Sequence, residues 1–283
     1  SQMRYMLGVD EGTTGCKSCI YDEIGNLISI SSKEYQSYYP KPGYVEQDIF
    51  EIRGRVFETI AESIQMSGIN PKDIVAISHS NQGITMVLLD NNEKIVRSKT
   101  IGWQDIRHTE ILPDIRKSIS DDEYFEIAGM CLGTYNIAVL NWLQRNEPDL
   151  WAKVTRCCSH QDFFLRQYGA SGYFIDEGSA NFLSMTGVYD CEWKDRLISI
   201  YNIDKSYLPT IVHSPGKIVG HISKEVSEKT GLSTDCLVCL GGLDTNCSLL
   251  GAGASEPGTD VLIVGTAGVS ILVSDSAKLD PNK

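Results

Sequence analysis

Three short segments hold the residue types of a metal–phosphate site. Near the start stands Leu7-Gly8-Val9-Asp10-Glu11-Gly12-Thr13-Thr14-Gly15-Cys16-Lys17. Near the end stand Gly241-Gly242-Leu243-Asp244-Thr245-Asn246 and Val264-Gly265-Thr266-Ala267-Gly268. Each joins an apolar run to a Gly/Thr-rich turn. Successive N–H groups in such a turn make an anion-binding concavity. Threonine hydroxyls add donors, Lys17 adds positive charge, and an aspartate can hold Mg²⁺ directly or through water. Their positions at opposite ends of the chain suit a site held between two halves of a protein.

The first segment must sit on a hairpin. Residues 5–9 are an apolar run suited to a buried strand, and Asp10 falls where that strand ends. Residues 18–21 resume an extended pattern, and Glu23-Ile24-Gly25-Asn26 reads as a turn before residues 27–32. A Walker P-loop and a dinucleotide fingerprint both open a helix, so the strand–turn–strand order argues against them. An isolated Asp-x-Gly-Thr is equally an ordinary glycine-rich hairpin; one that grips phosphate resembles the actin-like ATPases.

The chain has 283 residues, 42% of them hydrophobic, enough for a real core and more than one domain. Its net charge of −12 disfavours a nucleic-acid partner, which needs clustered Lys and Arg. No apolar run approaches the ~20 residues that cross a bilayer, so no membrane role is expected. The nine cysteines, odd in number and partly in apolar stretches, read as reduced thiols of a cytoplasmic protein. Cys236 and Cys239 have CxxC spacing without a second pair. They should face the core and solvent sides of one strand. The five histidines show no ligand spacing.

The middle of the chain supplies an α/β scaffold. Asp48 with Glu51 predicts a capping box, and Ile49, Ile52, Val56, Ile60 and Ile64 share one helical face. Pro71-Lys72-Asp73 breaks that helix before strands at 74–78 and 85–89. Between these strands, Ser80-Asn81-Gln82-Gly83 makes a polar turn at a strand's C-terminal end, where ligands bind in open α/β sheets. Residues 135–142 begin another amphipathic helix, ending near Pro148. Residues 39–48, with two prolines and flanking aromatics, predict a rigid loop whose role is chiefly structural. Trp103-Gln104-Asp105-Ile106-Arg107 sets an aromatic plane beside a carboxylate and a guanidinium, suited either to a sugar or to a surface ion pair beside a packed Trp.

These segments, in this order, resemble the FGGY family of carbohydrate kinases over essentially the whole chain. Asp10-Glu11-Gly12-Thr13-Thr14 with Lys17 matches the family's first phosphate loop. Residues 39–48 look like its Tyr-Pro-x-Pro-Gly stretch, and Trp103 to Arg107 resembles its Trp-x-Asp-x-Arg. Gly241-Gly242-Leu243-Asp244 matches the segment of the catalytic aspartate, and Gly265-Thr266-Ala267-Gly268 its second phosphate loop. The resemblance implies an α/β, actin-like ATPase (ribonuclease H-like) fold with a mixed β-sheet flanked by helices. It implies a first domain over 3–235 and the start of a second, truncated domain over 236–283.

The implied reaction moves the γ-phosphoryl of ATP, with Mg²⁺, to a hydroxyl of a sugar or polyol. Asp244 would be the general base and would also meet the acceptor. Asp10 would hold the metal. Gly12, Thr13, Thr14 and Lys17 would surround the transferring phosphate, with Gly265 and Thr266 facing them. Gln82, Gly83, Ile84, Trp103 and Asp105 would line the acceptor pocket. Glycerol kinases place Arg-Glu after Asn-Gln, and xylulokinases Met-His; Gly83-Ile84 stands here instead. A pentulose such as xylulose is the expected acceptor, with glycerol or a tetritol as alternatives. A non-catalytic sugar-binding module or an ATPase acting on a protein partner are the competing classes. Family members run to about twice this length, so the sequence reads as an incomplete piece, expected to bind ATP weakly by itself. Its strands after residue 237 should have exposed edges that admit a homodimer.

Overall fold

Residues 5–34 fold as an antiparallel meander. The computed structural model describes residues 3–243 and the strand pair at 249–250 and 269–270. In it β1 (Tyr5–Glu11), β2 (Gly15–Asp22) and β3 (Leu27–Glu34) follow one another through tight turns. The second turn is closed by Asp22, whose Oδ1 accepts from the N–H groups of Ile24 (3.0 Å) and Asn26 (2.8 Å). At the first turn β3 crosses close beneath Gly15. A Cβ there would lie 2.5 Å from the Lys33 carbonyl oxygen, so only glycine fits.

After β4 (Glu46–Asp48), the helix α1 (Ile49–Ser67) starts at Asp48, whose side chain accepts from Phe50 N–H. The expected capping box does not form, for the Asp48 side chain meets Phe50 N–H and not Glu51 N–H. Asp48 is also the last residue of β4, and Glu51 instead accepts from Gln36 N–H (3.1 Å) and Tyr38 Oη (3.3 Å). The isoleucine face is buried as predicted, but the helix ends at Gly68 (φ 66°), before Pro71. β5 (Ile74–Asn81) then runs parallel to β1, and β6 (Met86–Leu89) and β7 (Lys99–Ile101) follow.

Next come α2 (Leu112–Ile115), α3 (Asp121–Ala128), α4 (Val139–Asn146) and α5 (Pro148–Trp151). β8 (Arg156–Ser159) leads into α6 (His160–Tyr168), and β9 (Phe174–Asp176) into α7 (Glu177–Phe182). The described chain closes with α8 (Asp195–Ile200), β10 (Thr210–Val212), β11 (Ile218–His221), α9 (Lys224–Thr230) and β12 (Leu237–Leu243). β13 (Leu249–Leu250) and β14 (Val269–Ser270) make a short parallel pair.

One six-stranded mixed sheet, ordered β11-β12-β5-β1-β2-β3, organises the molecule. Helices α1, α6 and α9 cover one face, where Leu7, Val9 and Ile20 meet Ile52, Val56, Phe164 and Tyr168 in the main core. Each fully buried side chain of this size contributes ~1.5–3 kcal/mol. A second core gathers Met86, Leu88, Ile115, Tyr124, Leu140 and Ile198 beside the sheet. There β6 pairs with β8 rather than joining the main sheet.

Three expectations change. The helix expected from residue 135 starts at Val139, and the Asn136 side chain ahead of it donates to the Gly102 carbonyl (2.7 Å). Cys236 and Cys239 are both buried, in clusters on opposite faces, because β12 is an interior strand. Flanked by β11 and β5, β12 lacks the exposed edges expected after residue 237.

Candidate acceptor and phosphate site

The ends of β1 and β5 bring the predicted residues together. Asp10, half-buried near the end of β1, pairs in register with Lys17 on β2 and with Ser80 on β5. Ser80 Oγ donates to Asp10 Oδ1 at 3.5 Å. The turn 12–14 is shaped by a Gly12 N–H bond to Gly15 O (2.9 Å). The Tyr35 hydroxyl braces it by contacts to the carbonyls of Gly12 and Gly15. Thr14 and Lys17 are exposed, and Thr13 is half-buried.

Beside Asp10 lies a residue whose role the sequence did not reveal. Glu11 is fully buried. Its carboxylate receives His160 Nδ1 (2.8 Å to each oxygen), His79 Nε2 (3.2 Å) and Gln82 Nε2 (3.0 Å). Burial pushes this carboxyl up, but the His160 charge and the hydrogen bonds from His160 and His79 bring it down to about 2. Burial pushes His79 down. His79 Nδ1 meets the Tyr168 hydroxyl at 2.7 Å, so the neutral ring accepts there and donates through Nε2 to Glu11. No local spacing marks this set, since His79 and His160 stand 68 and 149 positions from Glu11.

A hydrogen-bond line leads from Glu11 across the site. Gln82 Nε2 also donates to Gln47 Oε1 (3.1 Å), and Gln47 Nε2 donates to Thr13 O (2.7 Å). Trp103 Nε1 donates to Thr13 Oγ1 (3.1 Å), and its ring is 41% exposed, leaving a face open to a ligand. Gln47, only 2% exposed, comes from the stretch predicted to be chiefly structural, and its side chain bridges Gln82 and Thr13.

The turn after β5 is strained. Gly83 (φ 74°) and Ile84 (φ 64°) are both left-handed, and Thr85 N–H bonds to Gly83 O at 2.7 Å across Ile84. A β-branched residue with positive φ is a true outlier, costing ~1–3 kcal/mol. The surrounding core holds it, for the Ile84 side chain is buried with the second core. At this turn Gly83 offers backbone only, and Ile84 offers no side chain to a ligand.

Asp105 is likewise spent internally. It is 1% exposed; its oxygens accept from Val45 N–H (2.7 Å), Arg107 N–H (2.9 Å) and the Arg107 guanidinium (2.8 Å to Nη2). Arg107 also pairs with Glu46 (2.7 Å) and lies 3.8 Å from the Tyr44 ring centroid. Asp105 therefore fixes the segment that presents Trp103. At the far side, Gln161 Nε2 donates to His79 O (2.6 Å) and Gln161 Oε1 accepts from Gly241 N–H (2.9 Å). This ties β12 to β5. Asp244, Gly265 and Thr266 lie outside the described residues.

Among the described residues no group of three His, Cys, Asp or Glu is arranged to hold a metal. Mg²⁺ asks for less, often one or two carboxylates with water. Asp10, half-buried, with only a long contact from Ser80, fits that demand. Among the described residues no helix is long and apolar enough to cross a membrane.

The model of the FGGY family of carbohydrate kinases, N-terminal domain, matches residues 5–251. The xylulose kinase of Lactococcus lactis is 28% identical over 94% of this chain and 53% of that protein. The glycerol kinase of Thermococcus onnurineus is 28% identical over 96% of this chain and 56% of that protein. The gluconate kinase structure from Lactobacillus acidophilus superposes with a TM-score of 0.77 at 25% identity, covering 86% of this chain and 48% of that one. The xylulose kinase structure from the same organism gives 0.76 at 26%, covering 85% and 48%. The chain thus spans about half the length of the relatives it matches. With its mixed sheet and this match, the chain has the actin-like ATPase fold and belongs to the FGGY family of carbohydrate kinases.

Proposed function

We propose that the protein containing this chain transfers the γ-phosphoryl of ATP to a hydroxyl of a neutral sugar or polyol, with a pentulose such as xylulose as the acceptor. One observation carries the reading: the Asp10 hairpin, the Gln82 turn and Trp103 converge on Thr13 and Glu11 at the ends of β1 and β5. An acceptor on the Trp103 face would then lie beside a phosphate cradle. Residues 80–85 carry no charged side chain, which favours a neutral acceptor. Matches to proteins named xylulose kinase support the pentulose, and those named glycerol kinase keep glycerol as the second reading.

Phosphoryl transfer depends on positioning and charge neutralisation. Asp10 would hold Mg²⁺, which when bound neutralises phosphate charge. Turn 12–14 and Lys17 would hold the phosphate, with Gly265 and Thr266 closing from the other side. Trp103 and Gln82 would orient the acceptor, with Gly83 and Ile84 shaping the turn beside it and Asp105 supporting Trp103. Asp244 would take the acceptor's proton as its oxygen attacks.

The test is ADP release by the full-length protein with D-xylulose, glycerol, gluconate and erythritol. Turnover with D-xylulose is expected; turnover with none of the four, or with gluconate alone, overturns the reading. Asp244→Asn should abolish turnover while acceptor binding persists. Near-normal turnover in that variant removes Asp244 as the base.

A further inference from the structure

We propose that Glu11, oriented by His79 and His160, is a positioning residue that fixes the Gln82 amide so that its carbonyl oxygen reads a hydroxyl of the acceptor. The inference rests on the kinase reading for the identity of the ligand. It does not rest on it for the geometry.

The argument follows the direction of each hydrogen bond. A carboxylate only accepts. Glu11 therefore requires donors from all three of its neighbours, and Gln82 must turn its nitrogen toward it, as it does at 3.0 Å. The flipped amide would set carbonyl oxygen against carboxylate. The second Gln82 proton goes to Gln47 Oε1 at 3.1 Å. Gln47 cannot flip either, because its own nitrogen donates to Thr13 O at 2.7 Å and Ser37 Oγ at 3.3 Å. Both Gln82 donors are thus consumed, and Gln82 Oε1 is left buried without a partner. An unpaired buried acceptor is a cost that a ligand's hydroxyl can remove. Gln82 is the one long polar side chain of its turn, since Gly83 has none and Ile84 is buried in the core. The turn consequently selects a donor, a hydroxyl, over a carboxylate or keto oxygen. The same line joins the turn to the phosphate loop at Thr13, so acceptor and phosphate are registered against each other.

The test is a double-mutant cycle in the full-length enzyme with Glu11→Gln, Gln82→Ala and the pair. The acceptor is D-xylulose, or glycerol or erythritol if that is what the wild type uses. Glutamine at position 11 can donate as well as accept, so it releases the Gln82 amide. The acceptor KM should rise about ten-fold in Glu11→Gln with the KM for ATP unchanged. That rise should vanish in the Gln82→Ala background, because Glu11 acts through Gln82. A lower kcat with unchanged acceptor KM, or additive effects in the pair, overturns the proposal. If Glu11→Gln does not fold, Gln47→Met replaces it in the same cycle. If the wild type phosphorylates none of D-xylulose, glycerol and erythritol, the kinase reading fails separately. The crystal structure of Glu11→Gln then decides: a displaced Gln82–Gln47 contact upholds the positioning role and an intact one overturns it.

Discussion

Neighbouring carboxylates do different work in this chain. Asp10 keeps its oxygens nearly free, Glu11 is enclosed by two imidazoles and an amide, and Asp105 is locked to Arg107. Asp10→Asn in the full-length protein should lower kcat by on the order of 10²–10³-fold, the scale of losing one charge-stabilising group. Its urea midpoint should match the wild type, and a loss under three-fold would remove Asp10 from the chemistry. Arg107→Met should instead strip the cation from buried Asp105 and Glu46. It should destabilise this chain by ~3–5 kcal/mol in urea unfolding. A change below ~1 kcal/mol would show that the Asp105 carboxylate is not held as described. The motifs around Asp10 and Trp103 were legible in the sequence, because each lies within a few consecutive residues. The consumption of Asp105 was not, since its partners include Val45, 60 positions away.

At the scale of elements, the strands and helices are set by local pattern, but their crossings are set by contact. Gly241 lies against β5, where a Cβ would come within 2.0 Å of the His79 carbonyl oxygen. Gly241→Ala should therefore separate β12 from β5 and cost ~1–3 kcal/mol or more, read by urea unfolding at constant slope. Unchanged stability would mean that the two strands are less tightly apposed. Helix α6 offers a pH test. Its capping Asp162 is fully buried, and burial pushes its carboxyl up to about 7, against the hydrogen bonds from Ser159. The native state then binds this proton more tightly than the unfolded chain does. Stability is greatest below the unfolded aspartate range, roughly pH 4, and falls as pH rises to about 7, by at most ~1.4 kcal/mol per unit. Asp162→Asn should flatten that part of the profile of unfolding midpoint against pH. An unaltered slope would assign it to other groups. The meander and α1 could be read in advance, whereas β12 could not be placed, because an apolar run does not reveal which strands flank it.

For the whole molecule, Gln82 and Trp103, the residues proposed to orient the acceptor, both lie among the described residues and are linked through Gln47 and Thr13. This chain alone should therefore bind the acceptor. At a hundred-fold excess over Kd, D-xylulose should add ~2.7 kcal/mol and raise Tm by roughly 5–10 °C. No shift with D-xylulose, glycerol or erythritol would place the acceptor site elsewhere. By itself the sequence determined the hairpin, the amphipathic α1, the order of motifs and hence the family. All of these depend on residue type and short spacing, which survive without knowledge of the fold. Only the tertiary structure decided that Glu11 is buried between His79 and His160, that Ile84 turns into the core, and that Gln47 links the Gln82 turn to the Thr13 loop. Those outcomes depend on which distant groups meet with water excluded, and hydrogen-bond direction between side chains 35, 68 and 149 positions apart is written in no local pattern.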